Sequence, residues 1–365
     1  MPVKVLLSGY YGYNNIGDEA ILKGLIDSLQ VYDVKLKVLS KNPEWTIKKY
    51  SVESADRSNL WQVLKEIKNC DVLLSGGGSL LQDVTSSKSI IYYLMILLFG
   101  IIFGKKTIIY SQGIGPIKGK FNRKFTKFVL NRVDYINVRD NNSHDYLRKI
   151  GIKKDITVTT DTVFGINEPS LKEGQGIIEN YSKRDSKKLG VTIINWKDLG
   201  DRTVEESVKL LKIILEEKPD VDIFLIPFYY HVDLEILTKI YNRLKDDFEN
   251  IYLVDKYLHV DGYLSLVGNM DIYLSMRLHG LIFATLMGAY PIGISYDPKI
   301  DGFMKELNRN QNFYVEDFDG EKVANEILYS LEDIERLNDK LNSDVEYFRN
   351  IAKESAENLY EFIRW

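Results

Sequence analysis

Short apolar runs alternate with helical patterns along the first half of the chain. Runs of β type fall at Val3–Ser8, Val34–Leu39, Asp71–Ser75, Thr107–Ser111, Tyr135–Val138 and Ile156–Thr159. Between them, helical spacing predicts elements near Asp18–Gln30, Leu60–Lys68, Ser87–Phe103, Phe121–Asn131 and Ser143–Ile150. Near-continuous apolar strands alternating with helices imply a parallel sheet covered on both faces. From Gly165 to Lys188 the pattern breaks. That stretch is polar and carries Pro169, Gly174 and Gly176, which predicts an interdomain linker with one short helix. The alternation then restarts, with strands expected at Leu189–Ile194, Asp222–Pro227, Ile251–Val254, Ile272–Ser275 and Pro291–Ile294. Helices are expected near Val204–Leu215, Asp233–Lys245, Gly262–Val267, Leu278–Met287 and Lys299–Leu307. The tail from about Gly320 is charged and helical, with Leu331, Leu337, Leu341, Phe348, Leu359 and Phe362 as its apolar positions.

This pattern predicts an α/β protein of two Rossmann-like, doubly wound domains facing a cleft, a GT-B-like plan. The expected domains are residues 1–165, a linker at 166–188, a second domain at 189–340, and a helix at 341–365 that packs back on the first domain. In such folds ligands bind at the carboxyl ends of the strands. A length of 365 residues suits two domains of ordinary size. Net charge is -4, so composition makes no electrostatic case for nucleic acid. The single cysteine, Cys70, excludes an intrachain disulfide and reads as a small core residue rather than a nucleophile. The start, M-P-V-K-V-L-L-S-G, runs straight into a strand, so no signal peptide is expected and the expected compartment is the cytoplasm. Ser89–Gly104 is strongly apolar but shorter than the about 20 residues of a spanning helix. Two readings stay open for it. It is a helix buried against the sheet, or it gives a peripheral contact with the inner face of the membrane, with Lys105 and Lys106 at the headgroups.

Five loops carry the candidate chemistry, each following a predicted strand. The first, Ser8–Leu22, reads S-G-Y-Y-G-Y-N-N-I-G-D-E-A-I-L. It lacks the dinucleotide spacing G-x-G-x-x-G, and Asp18 and Glu19 stand where a pyrophosphate would lie. The loop is therefore polar and catalytic, or a tight turn whose two acids favour the positive end of a helix. The second, S-G-G-G-S-L-L-Q-D, places Gly76, Gly77 and Gly78 after a strand. Either the backbone approaches an anionic ligand there, or the glycines serve a strand-to-helix turn. In the third, S-Q-G-I-G-P-I, Gln112 offers a polar side chain to the cleft beside Gly113, although loop geometry explains most of the motif. In the fourth, V-R-D-N-N-S, Arg139 ends a buried strand, suited to gripping phosphate or carboxylate or to an ion pair with an aspartate. The fifth, M-R-L-H-G, sets Arg277 and His279 two apart at a strand-to-helix turn, and an imidazole exchanges protons near neutral pH. His144 and His231 read as surface residues, and His259 is ambiguous. No cluster has metal-ligand spacing, and no Walker loop, kinase set or G-x-S-x-G occurs. Neither a metal nor a cofactor is expected.

The ordered set G-Y-Y-G-Y-N-N-I-G-D-E-A-I-L, S-G-G-G-S-L-L-Q-D, S-Q-G-I-G-P, R-D-N-N-S and S-M-R-L-H-G resembles the polysaccharide pyruvyl transferase family, closest to its bacterial cell-surface-anchoring branch. T-D-T-V-F departs from the family's usual Asp-Pro-Ala-Phe, which bears on the hinge. The resemblance implies phosphoenolpyruvate as donor and a lipid-diphosphate-linked amino sugar of the N-acetylmannosamine type as acceptor. The implied product is a 4,6-pyruvate ketal, with phosphate released. It carries donor binding onto Arg277, Leu278, His279 and Arg139. Residue chemistry adds the backbone N–H groups of Gly76–Gly78 with Gln112 and Gly113 for the donor, and His279 as acid. Asp18 is the expected base, with Glu19 in reserve. Asn14 and Asn15 would orient the acceptor sugar, and Tyr11 and Tyr13 would offer it an aromatic platform, although ordinary packing explains most of the 24 tyrosines. The main rival is a GT-B glycosyltransferase using a nucleotide sugar, but its Arg–x4–Lys pair and downstream E-x7-E are not found. A non-catalytic glycan-binding protein is the rival from another class.

Overall fold

The computed structural model describes residues 1–84, 87–309 and 313–364. The chain forms two compact units, Met1–Asn167 joined by the segment that begins at Phe348, and Glu168–Tyr347. The first unit runs β1 (Val3–Tyr11), α1 (Ile16–Leu29), β2 (Val34–Ser40), α2 (Pro43–Tyr50), β3 (Glu53–Asp56), α3 (Leu60–Asn69) and β4 (Val72–Gly76). It continues with α4 (Ser87–Ile102), β5 (Lys106–Gln112), α5 (Lys120–Leu130), β6 (Tyr135–Val138), α6 (Asn141–Ile150) and β7 (Thr157–Val158). Among the described residues these strands form one parallel seven-stranded sheet in the order β3-β2-β1-β4-β5-β6-β7. Helices cover both faces, so β4 is buried along its whole length and reads as a continuous apolar run. Asn15, Asn42, Asn59 and Asp140 each accept a first-turn N–H and start α1, α2, α3 and α6.

The second unit repeats the plan. It contains α7 (Lys172–Glu179), β8 (Lys187–Thr192), α8 (Gly200–Glu217), β9 (Val221–Leu225), α9 (Tyr230–Leu244), β10 (Ile251–Leu253) and α10 (Val260–Val267). Then follow β11 (Ile272–Ser275), α11 (Leu278–Met287), β12 (Tyr290–Ser295), α12 (Pro298–Glu306), β13 (Phe313–Tyr314), α13 (Gly320–Glu332) and α14 (Ile334–Arg364). Its described strands form a six-stranded sheet, β10-β9-β8-β11-β12-β13, again parallel. The polar stretch after Gly165 supplies α7, which docks on α10 within this unit. The Gly174 N–H donates to Ser265 Oγ at 2.7 Å, and a Cβ at Gly174 would lie 2.1 Å from the Ser265 carbonyl oxygen. Only glycine permits that approach.

In α4, Ile90, Tyr93, Leu94, Ile96 and Leu97 are buried in the sheet-facing core, while Ile102 is exposed. No described helix is long and apolar enough to cross a membrane. From Phe348 onward, α14 packs into the first unit. Phe348 stacks on Phe164 at 4.7 Å, and Leu359 is fully buried. The Ser355 hydroxyl donates to Tyr110 Oη at 2.8 Å and accepts from Asn137 Nδ2 at 3.3 Å. Leu359→Ala should therefore destabilise the first unit by about 3 kcal/mol, as expected for a leucine emptied from a close-packed core. Chemical denaturation of the full chain checks this, and an unchanged midpoint would mean the helix is only lightly docked.

Candidate functional site

The strand order of the first unit reverses at β1 and β4, whose registers place Ser8 beside Ser75. Their following loops therefore leave the sheet side by side, at the edge where doubly wound folds bind ligands. Helix α1 presses directly on the second loop. Ideal Cβ atoms at Gly76, Gly77 and Gly78 would lie 2.7 Å from Leu25 Cδ1, 2.0 Å from Ile21 Cγ2 and 2.8 Å from Asp18 Oδ1. Gly77 and Gly78 also have φ values of 88° and 63°. Gly77 and Gly78 are thus required by the turn, Gly77 by Ile21 as well, and their placement sets the Asp18 carboxylate against Gly78. The next loop joins the same edge. A Cβ at Gly113 would lie 2.8 Å from Arg139 Nη2 and 2.9 Å from Ser79 Oγ.

Several expected roles meet a different environment. Arg139 is buried and committed to carboxylates, with Nη1 donating to Asp161 Oδ2 at 2.8 Å and Nε 3.5 Å from Asp140 Oδ2. The alternative reading of an arginine–aspartate pair describes it, because a buried guanidinium requires a counter-charge. Gln112 is fully buried, and its Nε2 donates to Ser75 Oγ at 3.0 Å, so it does not project from the edge. Tyr11 is a core residue rather than a sugar platform. Its ring is buried and its hydroxyl donates to the Gly76 carbonyl at 2.6 Å, tying β1 to β4. Tyr13 does reach the surface, stacked on Tyr10 at 4.1 Å with rings 3° from parallel. Asn14 is exposed with φ of 58°, while Asn15 is taken up as the cap of α1. Glu19 is buried. It accepts from the Gly12 N–H at 2.8 Å and the Tyr50 hydroxyl at 3.0 Å. It braces the first loop from beneath.

Arg57 escaped the sequence reading. It follows β3, is buried, and donates to the Gly9 carbonyl at 2.7 Å and to Tyr93 Oη at 3.1 Å. The rings of Tyr10, Tyr13, Tyr92 and Tyr93 surround its guanidinium at 4.8 to 5.8 Å. Cation–π attraction stands in for a carboxylate there, holding the Tyr10–Tyr13 stack and the loop behind it.

In the second unit, Arg277, Leu278 and His279 leave β11 and open α11, again at a switch in strand order. Ser275 shapes this turn, since its Oγ accepts from the Arg277 N–H at 2.9 Å and donates to the Arg277 carbonyl at 2.9 Å. No side chain caps α11, so the turn presents first-turn backbone N–H groups. Arg277 grips Asp233 through two nitrogens, Nε at 3.1 Å and Nη2 at 2.5 Å. Asp233 also accepts from the N–H groups of Phe228 and Tyr229, which locks it at the head of α9. It too carried no signal in the sequence beyond a place near the start of a helix. Arg277 and His279 remain half-buried and Leu278 is buried. Trp196 after β8 and Tyr296 after β12 pack ring to ring at 4.3 Å. A hollow of about 370 Å³ opens at the other, amino-terminal edge of the first sheet, where Lys37 already pairs with Glu53 and Glu66. It lies away from all these residues.

The sequence profile described as polysaccharide pyruvyl transferase matches residues 15–298. The chain belongs to the polysaccharide pyruvyl transferase family. The amylovoran biosynthesis protein AmsJ of Erwinia amylovora is 23% identical over 367 residues, covering 84% of this chain and 86% of that one. Among solved structures, a candidate UDP-N-acetylglucosamine 2-epimerase from Listeria monocytogenes superposes with a TM-score of 0.68 at 14% identity, over 99% of this chain and 95% of its own. A glycosyltransferase from Rickettsia africae gives 0.64 at 13%, over 99% and 98%. These likenesses establish the GT-B-like fold.

In this pyruvyl transferase family member, the Gly77 and Gly113 N–H groups expected to meet the donor instead donate to the Tyr110 and Gly78 carbonyls, at 3.4 and 3.0 Å, so the groups suited to anions lie at the α11 turn of the second unit. Among the described residues no cluster of three or more His, Cys, Asp or Glu side chains could hold a metal. Elsewhere, burial pushes the Cys70 thiol up to about 11, in keeping with a core residue. Burial likewise pushes Glu19 up to about 7 from 4.5, against the opposing hydrogen bonds from Gly12 and Tyr50. A raised carboxyl pKa contributes stability below the unfolded value, and this is lost as pH rises through the folded one. Relative to Glu19→Gln, the wild type should lose on the order of 3 kcal/mol between pH 4.5 and about pH 7. Denaturation of both proteins across that window reads this out, and parallel pH profiles would exclude it.

Proposed function

We propose that this chain moves the enolpyruvyl unit of phosphoenolpyruvate onto a lipid-diphosphate-linked N-acetylmannosamine-type sugar. The reaction closes a 4,6-pyruvate ketal and releases phosphate, in the synthesis of a cell wall polymer that anchors surface proteins. The observation that carries the reading is the α11 turn. Arg277 is oriented by Asp233 with only two of its five N–H donors engaged on that carboxylate. Beside it lie His279 and an uncapped helix N-terminus. A carboxylate and a phosphate on one small donor call for such a set. The amylovoran biosynthesis role of the Erwinia amylovora relative supports a polysaccharide acceptor.

In the proposed sequence, His279 gives a proton to the donor's methylene carbon, which becomes a methyl group and leaves oxocarbenium character at C2. Asp18 takes the proton from the first sugar hydroxyl, whose oxygen bonds to C2. The C2–O bond to phosphate breaks, phosphate departs with the proton that Asp18 had taken, and the second hydroxyl closes the ring. The proton that the second hydroxyl loses restores the acid. Arg277 and the α11 N–H groups hold the donor's anionic oxygens. No cofactor takes part.

Phosphate release from phosphoenolpyruvate with a synthetic lipid-diphosphate disaccharide ending in N-acetylmannosamine tests the proposal. Release should require acceptor, and the product should gain the mass of pyruvate less water. His279→Ala and Asp18→Asn should each lower kcat by roughly 100-fold or more. Arg277→Lys should chiefly raise KM for phosphoenolpyruvate, by about 10-fold, because a point charge cannot replace the fork. Full activity of Asp18→Asn would remove the base assignment. Thermal stabilisation by a nucleotide sugar, without phosphate release on any acceptor, would replace the reading by a glycosyltransferase.

A further inference from the structure

Helix α5 and its flanks read I-K-G-K-F-N-R-K-F-T-K-F-V-L-N-R over residues 117–132, and its two faces differ sharply. Asn122, Thr126, Val129 and Leu130 are buried and fix the helix to the first unit. On the outer side stand Lys118, Lys120, Arg123, Lys124, Lys127 and Arg132, all exposed. No acidic residue interrupts residues 117–132, and among the described residues none of these six cations forms a salt bridge, Asp83 alone lying close enough to feel the charge of Lys118. The nearest acid along the chain before them, Asp83, is already occupied. It accepts from the backbone N–H groups of Lys118 and Gly119 and from Asn122 Nδ2, so it shapes the turn into α5. A chain of net charge -4 has thus gathered an unneutralised basic stripe on one helix.

Aromatic residues accompany the stripe. Phe121 is 68% exposed and Phe128 46% exposed. Phe121 and Phe125 have ring centroids 6.0 Å apart, and Phe128 carries Arg132 over its face at 3.8 Å. Positions 121, 125 and 128 fall on one flank of a helix. That flank borders the core, and the lysines stand above it. Large exposed phenylalanines beneath a row of cations match a helix that lies in a membrane interface, its rings among the acyl chains and its ammonium groups at the headgroups. A single-stranded nucleic acid also uses cations beside rings, but it needs open ring faces for its bases to stack on, and Arg132 covers a face of Phe128.

We propose that the outer face of α5 docks on a bilayer surface rich in anionic lipid. The surface lies on α5, not on the apolar α4 whose residues fill the core. It stands apart from the reaction assigned above, because vesicle binding is measured with neither donor nor acceptor present.

The test is co-sedimentation of the full chain with vesicles of phosphatidylcholine alone and with about 30% phosphatidylglycerol. The wild type should partition onto the anionic vesicles, and binding should weaken steeply as salt is raised to about 0.5 M. Lys120→Glu combined with Lys124→Glu and Lys127→Glu should weaken binding by roughly 100-fold or more. Phe121→Ser with Phe128→Ser should weaken it by about 10-fold at unchanged net charge. Lys239→Glu, on an exposed helix of the second unit, should bind as the wild type does. All the substituted side chains are exposed, and unchanged melting of each variant confirms folding; the salt titration needs no substitution at all. Partition of either α5 variant equal to wild type overturns the proposal. So does equal binding to both vesicle types, or tighter binding to single-stranded DNA than to anionic vesicles.

Discussion

The contact of α1 with the end of β4 is the constraint on which the first unit's working edge depends. Ile21 fills the space where a side chain at position 77 would stand, and Leu25 and Asp18 do the same at positions 76 and 78. One helical face therefore delivers a methyl, an isobutyl group and a carboxylate to three consecutive backbone positions. The apolar pair supplies the packing and the carboxylate is carried into place by it. Tyr11 closes the same region from below through the Gly76 carbonyl, and Glu19, next to Asp18 in the chain, holds Gly12. Packing along α1 brings the acid to this edge.

The two units solve one electrostatic problem in the same way. Each has an arginine at the carboxyl end of a sheet strand, and each arginine is matched by an aspartate from a different element. Arg139 meets Asp161, and Arg277 meets Asp233. The difference lies in exposure. Arg139 is closed in by two carboxylates and a serine hydroxyl, so its charge is spent within the fold. Arg277 stays half-open to solvent, with its remaining N–H groups and an uncapped helix end beside it. The same residue type, at the end of β6 in one unit and of the switch strand β11 in the other, is closed in within the first and left partly exposed in the second. Arg57 is a third solution, a cation held among aromatic faces and a backbone carbonyl.

The elements that bury apolar surface were legible in advance. Tyr135–Val138, Ile272–Ser275 and Leu278–Met287 fall where their patterns place them, and both sheets are parallel as continuous apolar strands require. What escaped lies at the sheet margins. β3 is Glu-Ser-Ala-Asp with only Ala55 buried, and α2 buries only Thr46, so neither shows a hydrophobic period. β13 is a two-residue edge strand. Arg57 hid behind β3 for that reason. Loop positions at strand ends were readable because the fold forces them to one edge. Their partners were not, since Asp161 and Asp233 reach their arginines across 22 and 44 residues of chain. Tyr11 and Gln112 show the limit of motif reading, because a polar atom in a glycine-rich loop is as apt to tie strands together as to meet a ligand.

The return of the last helix makes the second unit an insertion within the first. Residues 168–347 are bracketed by segments of one hydrophobic core, which Phe348, Leu359 and the Ser355–Tyr110–Asn137 network complete. On the ribosome, the second unit therefore leaves the exit tunnel with all its parts while the first still lacks its closing helix. Assembly order is inverted with respect to chain order, and the core of the first unit closes only after residues 348–364 have emerged behind the whole of the second.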